Sequence, residues 1–203
     1  MRHPATVMLS ALALVVLTTT TPLRAQDKQN DAAMQEMMKK WQEAMTPGAP
    51  HKALAAMEGK WNAEVKDWMG GSDAPPTVSK GTAVNTMVLG GRYLKEDFTS
   101  EMMNQPFQGT GYTGYDNMNK KYVGSWMDNM STSMMMMEGT MNEKGDVLTM
   151  TGKMDDPGTG QHGKPYKSVM TVVSPEKHMY EMFDLSLPEG KQKVMEIVYT
   201  RAK

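Results

Sequence analysis

Residues 177–201 read KHMYEMFDLSLPEGKQKVMEIVYTR. Met179, Glu181, Phe183, Leu185 and Leu187 occupy every second position of the first half, and Met195, Ile197, Tyr199 and Arg201 do the same in the second. A period of two places alternate side chains on one face of a strand, with one packed side and one solvated side. Pro188-Glu189-Gly190 supplies the turn between them.

Upstream the same texture repeats. Candidate strands cover 60–69, 79–89, 92–102, 107–116, 120–129, 132–141, 147–155, 165–174, 177–187 and 192–201. Turn residues separate them at Leu89-Gly90-Gly91-Arg92, Asp116-Asn117-Met118-Asn119, Asn142-Glu143-Lys144-Gly145 and Ser174-Pro175-Glu176-Lys177. Residues 70–78 and 156–164 read as longer Gly/Pro-rich loops. Consecutive strands with short links and no helix between them predict an all-β antiparallel meander. Closure into a barrel removes its free edges, with a two-sheet sandwich as the alternative. Ahead of the strands, Met34, Met38, Trp41 and Met45 share one face of a predicted helix over 27–45, which Asp31 could cap. The run Thr46-Pro47-Gly48-Ala49-Pro50 ends it, and a second short helix spans His51 to Met57.

Residues 7–17, VMLSALALVVL, follow a short basic start and precede a threonine run and Leu23-Arg24-Ala25. This pattern predicts a secretory signal peptide cut after Ala25 and an exported, periplasmic or extracellular protein. The expected divisions are 1–25 leader, 26–58 helical segment and 59–203 barrel. The apolar run is too short for a typical membrane-spanning helix. Without cysteine there is no thiol catalysis, no thiolate metal site and no disulfide, so packing must hold the fold. The net charge of −1 and the lack of a basic patch argue against a nucleic acid or anionic membrane partner.

Twenty-five methionines are the compositional anomaly. Thioethers are soft ligands suited to Cu(I) and are also flexible apolar fillers. In the run Met134–Met137, alternation puts Met134 and Met136 on one face and Met135 and Met137 on the other. A metal site would need Met127, Met130, Met134 and Met136 to converge. Packing in place of Leu, Ile and Val is the simpler reading, and an oxidation sink is a further one.

Leu54–Trp61, Leu89–Leu94, Gly111–Asn117, Ser125–Asp128 and Met195–Arg201 resemble the domain-of-unknown-function family 1579 over roughly residues 48–203. The resemblance implies a calycin- or lipocalin-like barrel, a fold often used to bind small hydrophobic ligands. It also implies roles for Gly59-Lys60-Trp61 and Arg201. In calycins a Trp plugs the barrel bottom and a basic residue of the last strand covers it, a contact worth about 0.5–2 kcal/mol. His51, where the family commonly has a His, is expected to cap the short helix or tie it to the barrel.

Arg92, Tyr112 and Trp126 are candidate lumen or mouth residues. Glu181 joins them because a carboxylate between Met179 and Phe183 is costly unless it meets a partner. His178 is the histidine best placed for a lumen role, and a poor one for haem. There is no nucleophile elbow, P-loop or dinucleotide fingerprint, and neither catalysis nor a cofactor is expected. Three functions compete: a barrel binding a small, partly hydrophobic ligand; a methionine-rich copper-binding or oxidation-protective protein; and a structural or interaction protein with a filled barrel, exposing an apolar patch at 34–45 or along 127–137. A homodimer is compatible with any of them.

Overall fold

The computed structural model describes residues 23–68 and 74–203. The expected leader lies outside them except for Leu23–Ala25, which begin a helix. Two compact units divide at Gln42. The first holds most of α1 (Leu23–Met45), which starts eight residues before the expected Asp31 cap. An i,i+4 pair, Lys40 with Glu36, lies on its surface, and Met34, Met38 and Trp41 are exposed.

The second unit is a closed barrel. Its strands are β1 (Gly59–Asp67), β2 (Thr77–Val88), β3 (Tyr93–Met102), β4 (Gln105–Asp116), β5 (Lys121–Asp128), β6 (Met135–Met141), β7 (Val147–Asp156), β8 (Gln161–Ser174), β9 (Lys177–Asp184) and β10 (Lys193–Arg201). Each pairs antiparallel with the next, and β10 closes onto β1. All ten expected strands are present, and the sandwich alternative falls. Three boundaries move appreciably; the sixth strand begins at Met135 and not at 132. The expected 156–164 loop contributes Gln161–Lys164 to β8. The ninth strand stops at Asp184, because the Asp184 carboxylate there accepts from the Ser186 backbone and hydroxyl and pairs with Lys164 at 2.7 Å.

Alternation divides every strand between lumen and solvent. The β10 set Met195, Ile197 and Tyr199 faces in, as expected. On β9 the inward set is His178, Tyr180, Met182 and Asp184, so Met179, Glu181 and Phe183 face out. The outer face is polar and carries ion pairs such as Lys66–Glu196 and Lys121–Glu138. Among the described residues no helix is long and apolar enough to cross a membrane.

One end of the barrel is plugged. The short helix α2 (Ala49–Ala55) forms two residues earlier than expected, because Gly48 serves as its N-cap and Pro50 fits its first turn. The Gly48 N–H donates to His51 Nδ1 at 3.0 Å, and His51 also makes a hydrogen bond to the Tyr115 backbone on β4. His51 thus fills both expected roles, helix cap and helix-to-barrel tie. Burial, aided by the charge of Arg92, lowers its pKa, which suits a ring nitrogen that must accept. Leu54 and Met57 from this segment pack on Leu94, Tyr122, Leu148 and Met150.

Trp61 is 2% exposed, and the Arg201 guanidinium lies 4.3 Å from its ring centroid. Trp61 and Arg201 are direct partners across the closing pair. Arg201 also donates to the carbonyls of Pro175 and Glu58. At Gly59 a Cβ would stand 2.4 Å from the guanidinium, and φ is +134°, so no other residue fits there without strain. Arg201→Met removes the stacking and these hydrogen bonds together. It should cost about 2–3 kcal/mol, read as a lowered urea midpoint, while Lys203→Met leaves the midpoint unchanged.

Candidate functional site

The barrel is hollow. A cavity of about 280 Å³ runs from Met57, Asn85 and Leu94 at the plugged end to Met102, Met130 and Met135 at the other. Nine methionines line it, among them Met57, Met137, Met150, Met170 and Met182. Thioether chains are unbranched and can shape a lumen to an irregular guest. Aromatic walls come from Phe98, Phe107, Trp126, Tyr180 and Tyr199. Phe107 stacks on Trp126 at 14° between planes, and Phe98 meets both edge-on.

Trp126 lies flat against β4 because β4 has no side chains beneath it. A Cβ on Gly109 would stand 2.2 Å from the indole ring, and one on Gly111 2.9 Å. The Trp126 Nε1–H donates to Asp128 Oδ2 at 2.9 Å, which orients the ring at the cavity wall.

A few polar groups project into this apolar space. Glu96 on β3 accepts the Tyr199 hydroxyl at 2.9 Å. Glu96 is half-buried and lines the cavity. Burial pushes the Glu96 pKa up to about 7; the Tyr199 hydrogen bond opposes this and the charge of Asp97 adds to it. Tyr180 and Tyr199 are held well above the ordinary phenol range, chiefly by burial, and Tyr180 is hydrogen-bonded with Ser168. Asn85, 3% exposed, donates from Nδ2 to the Met57 carbonyl at 3.1 Å and leaves Oδ1 without a partner.

Trp126 alone of the four expected ligand residues lines the cavity. Arg92 sits in the β2–β3 turn at the plugged end and donates to the carbonyls of Leu89 and Met45, so it is a clamp and not a lumen group. Tyr112 alternates with the lumen residues Gly111 and Thr113 and so faces out. Glu181 faces out and pairs with Lys193 at 2.6 Å, which satisfies the carboxylate that looked unpaired in the sequence. The expected metal set does not converge. Met134 and Met136 are exposed, Met127 faces outward between Trp126 and Asp128, and Met130 stands at the mouth. The other half of the run, Met135 and Met137, enters the lumen opposite Trp126 and Gly124. His178 is buried between Trp61 and Tyr199, at ring centroid distances of 4.3 Å from each, and both its ring nitrogens lack partners.

Sequence reasoning passed over Glu96, Asn85, Tyr180 and Met137. Glu96 did carry a signal: Leu94 and Phe98 flank it at two-residue spacing, so a carboxylate shares an apolar face. Its neighbours Lys95 and Asp97 made the strand look two-sided.

Fold and lumen together define a hollow ten-stranded antiparallel barrel, plugged at one end by a Trp–Arg stack and a short helix. Residues 46–201 match the family described as "Protein of unknown function (DUF1579)", and the chain belongs to that family. No curated protein matches it. Among solved structures it is similar to Rv2717c from M. tuberculosis, at 14% identity and a TM-score of 0.56, over 78% of this chain and 100% of that one. It is also similar to the S-type phycobiliprotein lyase CPES from Guillardia theta, at 11% identity and a TM-score of 0.52, over 79% and 96%. Both likenesses concern the fold.

Two buried groups give stability a defined pH dependence. Burial, aided by the Arg201 charge, lowers the His178 pKa from 6.5 to about 4. The folded state therefore resists protonation there, and stability falls as pH drops from about 6.5 toward 4, by on the order of 3 kcal/mol. Glu96 acts in the opposite sense. Its folded pKa is raised, so its contribution is fully present below about 4.5 and is lost as pH rises through about 7. In urea titrations across this range, His178→Phe should abolish the acid-side loss and Glu96→Gln the neutral-side loss.

Proposed function

We propose that this protein is an exported binding barrel that holds one small, mainly apolar molecule in its lumen. The observation that carries this is the cavity itself, about 280 Å³ and walled by methionines and aromatics, with the Glu96 carboxylate held among them by Tyr199. An apolar cavity with a few convergent polar groups is the ordinary form of a small-molecule site, and this one lies near the lower end of the usual size range of about 300–1,000 Å³. A filled structural barrel would have had no such space. The family and the two structural neighbours support the fold on which the proposal rests. Export is supported by the apolar run at 7–17, which follows a short basic start. The lumen groups favour binding over catalysis: Glu96 is engaged by Tyr199, and His178 is sealed behind Trp61.

Titration with the uncharged fluorescent probe N-phenyl-1-naphthylamine should give saturable, one-to-one binding with blue-shifted emission. Met137→Trp, which fills the lumen, should weaken binding by more than about tenfold, whereas Met136→Trp on the outer face should leave it unchanged. Equal effects from the two substitutions would refute a lumen site.

A further inference from the structure

We propose that the lumen selects a protonated amine: an apolar, ring-bearing ligand whose ammonium group is held by Glu96 and Asn85. This rests on the binding-barrel reading and names the chemical class of its ligand.

The first ground is an imbalance between donors and acceptors. Asn85 and Glu96 are direct cross-strand partners on β2 and β3, so their side chains enter the cavity side by side. The Asn85 amide nitrogen is committed to the Met57 carbonyl, which leaves the unpartnered Oδ1 as an acceptor. Glu96 receives one side-chain hydrogen bond, from Tyr199. Adjacent buried acceptors that lack donors are costly. An ammonium supplies three donors and no acceptor, whereas a carboxylate ligand would add only acceptors.

The second ground is charge. Among the described residues that line the cavity, Glu96, Glu101 and Asp128 are acidic and none is basic. Asn85 on β2, Gly111 on β4, Tyr180 on β9 and Tyr199 on β10 are the lumen residues of the strands around Glu96, and none of them is cationic. The adjacent Lys95 and Asp97 lie on the outward face of β3 and pair with each other at 2.7 Å. A buried carboxylate without a counter-charge is destabilising when ionised, and a bound cation relieves it. The third ground is the wall. Phe98, Phe107, Trp126, Tyr180 and Tyr199 present the π-faces that attract organic cations.

The test uses three probes with one ring system: 2-(naphthalen-2-yl)ethylamine, 2-(naphthalen-2-yl)ethanol and naphthalene-2-acetate. Each is titrated into the full chain at about pH 8, where Glu96 is ionised. The amine should bind at least about tenfold more tightly than the alcohol, and the acetate more weakly than either. Glu96→Gln should bring amine and alcohol to within about threefold of each other. Tyr199→Phe should retain the amine preference. Should Glu96→Gln not fold, the wild-type preference gives the same reading, because it should fall between about pH 8 and pH 6 while alcohol binding stays constant.

Acetate binding as tight as amine binding, or an undiminished preference in Glu96→Gln, overturns the proposal. Alcohol binding without amine preference overturns this assignment and leaves the binding barrel standing. Failure of all three probes and of N-phenyl-1-naphthylamine overturns both.

Discussion

The carbonyl of Met57 accepts two side-chain hydrogen bonds, from Trp61 Nε1 at 3.0 Å and from Asn85 Nδ2 at 3.1 Å. The geometry of the closed end depends on this junction. It ties the segment after α2 to β1 and β2, directly under the point where Arg201 covers Trp61. Glu58, the next residue, receives Arg201 on its carbonyl and the Met87 N–H on its carboxylate. Helix, first strands and last strand are therefore fastened within two residues of chain. In a meander without disulfides, closure of β10 onto β1 joins segments about as far apart in sequence as the fold allows. A stacked guanidinium and a shared carbonyl offset part of that loop-closure cost.

The same junction prepares the cavity. Because Asn85 spends its amide nitrogen on Met57, its buried oxygen is left without a partner, and Glu96 is its neighbour across the β2–β3 pair. The plug thus aligns a pair of acceptors at the floor of an otherwise apolar space, and Tyr199, stacked on His178, delivers the hydroxyl that holds Glu96. Residues of the plug and residues that line the cavity are separated by only one or two positions along β3 and β10. Buried polar groups of this kind cost stability in the empty protein, a common feature of sites shaped for a partner. The methionines complete the arrangement. Nine of them give the wall a surface that can adapt to a guest without backbone movement.

The strand count, the antiparallel order, the plug residues Trp61 and Arg201 and the alternation of the methionine run were all legible in the sequence. The plug was implied by the family resemblance; the strands follow from local chemistry, because turn residues punctuate the chain and a period of two defines strand faces. The split of Met134–Met137 into two faces was legible for the same reason. Which face looks inward was not.

Two segments make the difference concrete. Leu94-Lys95-Glu96-Asp97-Phe98 and Met179-Tyr180-Glu181-Met182-Phe183 carry the same pattern, a carboxylate between two apolar residues at two-residue spacing. Glu96 lies in the lumen, and Glu181 lies in solvent beside Lys193. They differ on the opposite face, where charged Lys95 and Asp97 flank Glu96 and the apolar-bodied Tyr180 and Met182 flank Glu181. The choice is made by register, transmitted strand by strand from the Trp61–Arg201 pair, because a one-residue slip would turn every side chain to the opposite face. The sequence alone determined an antiparallel meander of ten strands with a methionine-rich composition. Only the tertiary structure decided that the barrel is hollow, that Met135 and Met137 line it, and that Glu96 stands in its lumen. These properties depend on which faces meet across the lumen, between residues far apart in the chain.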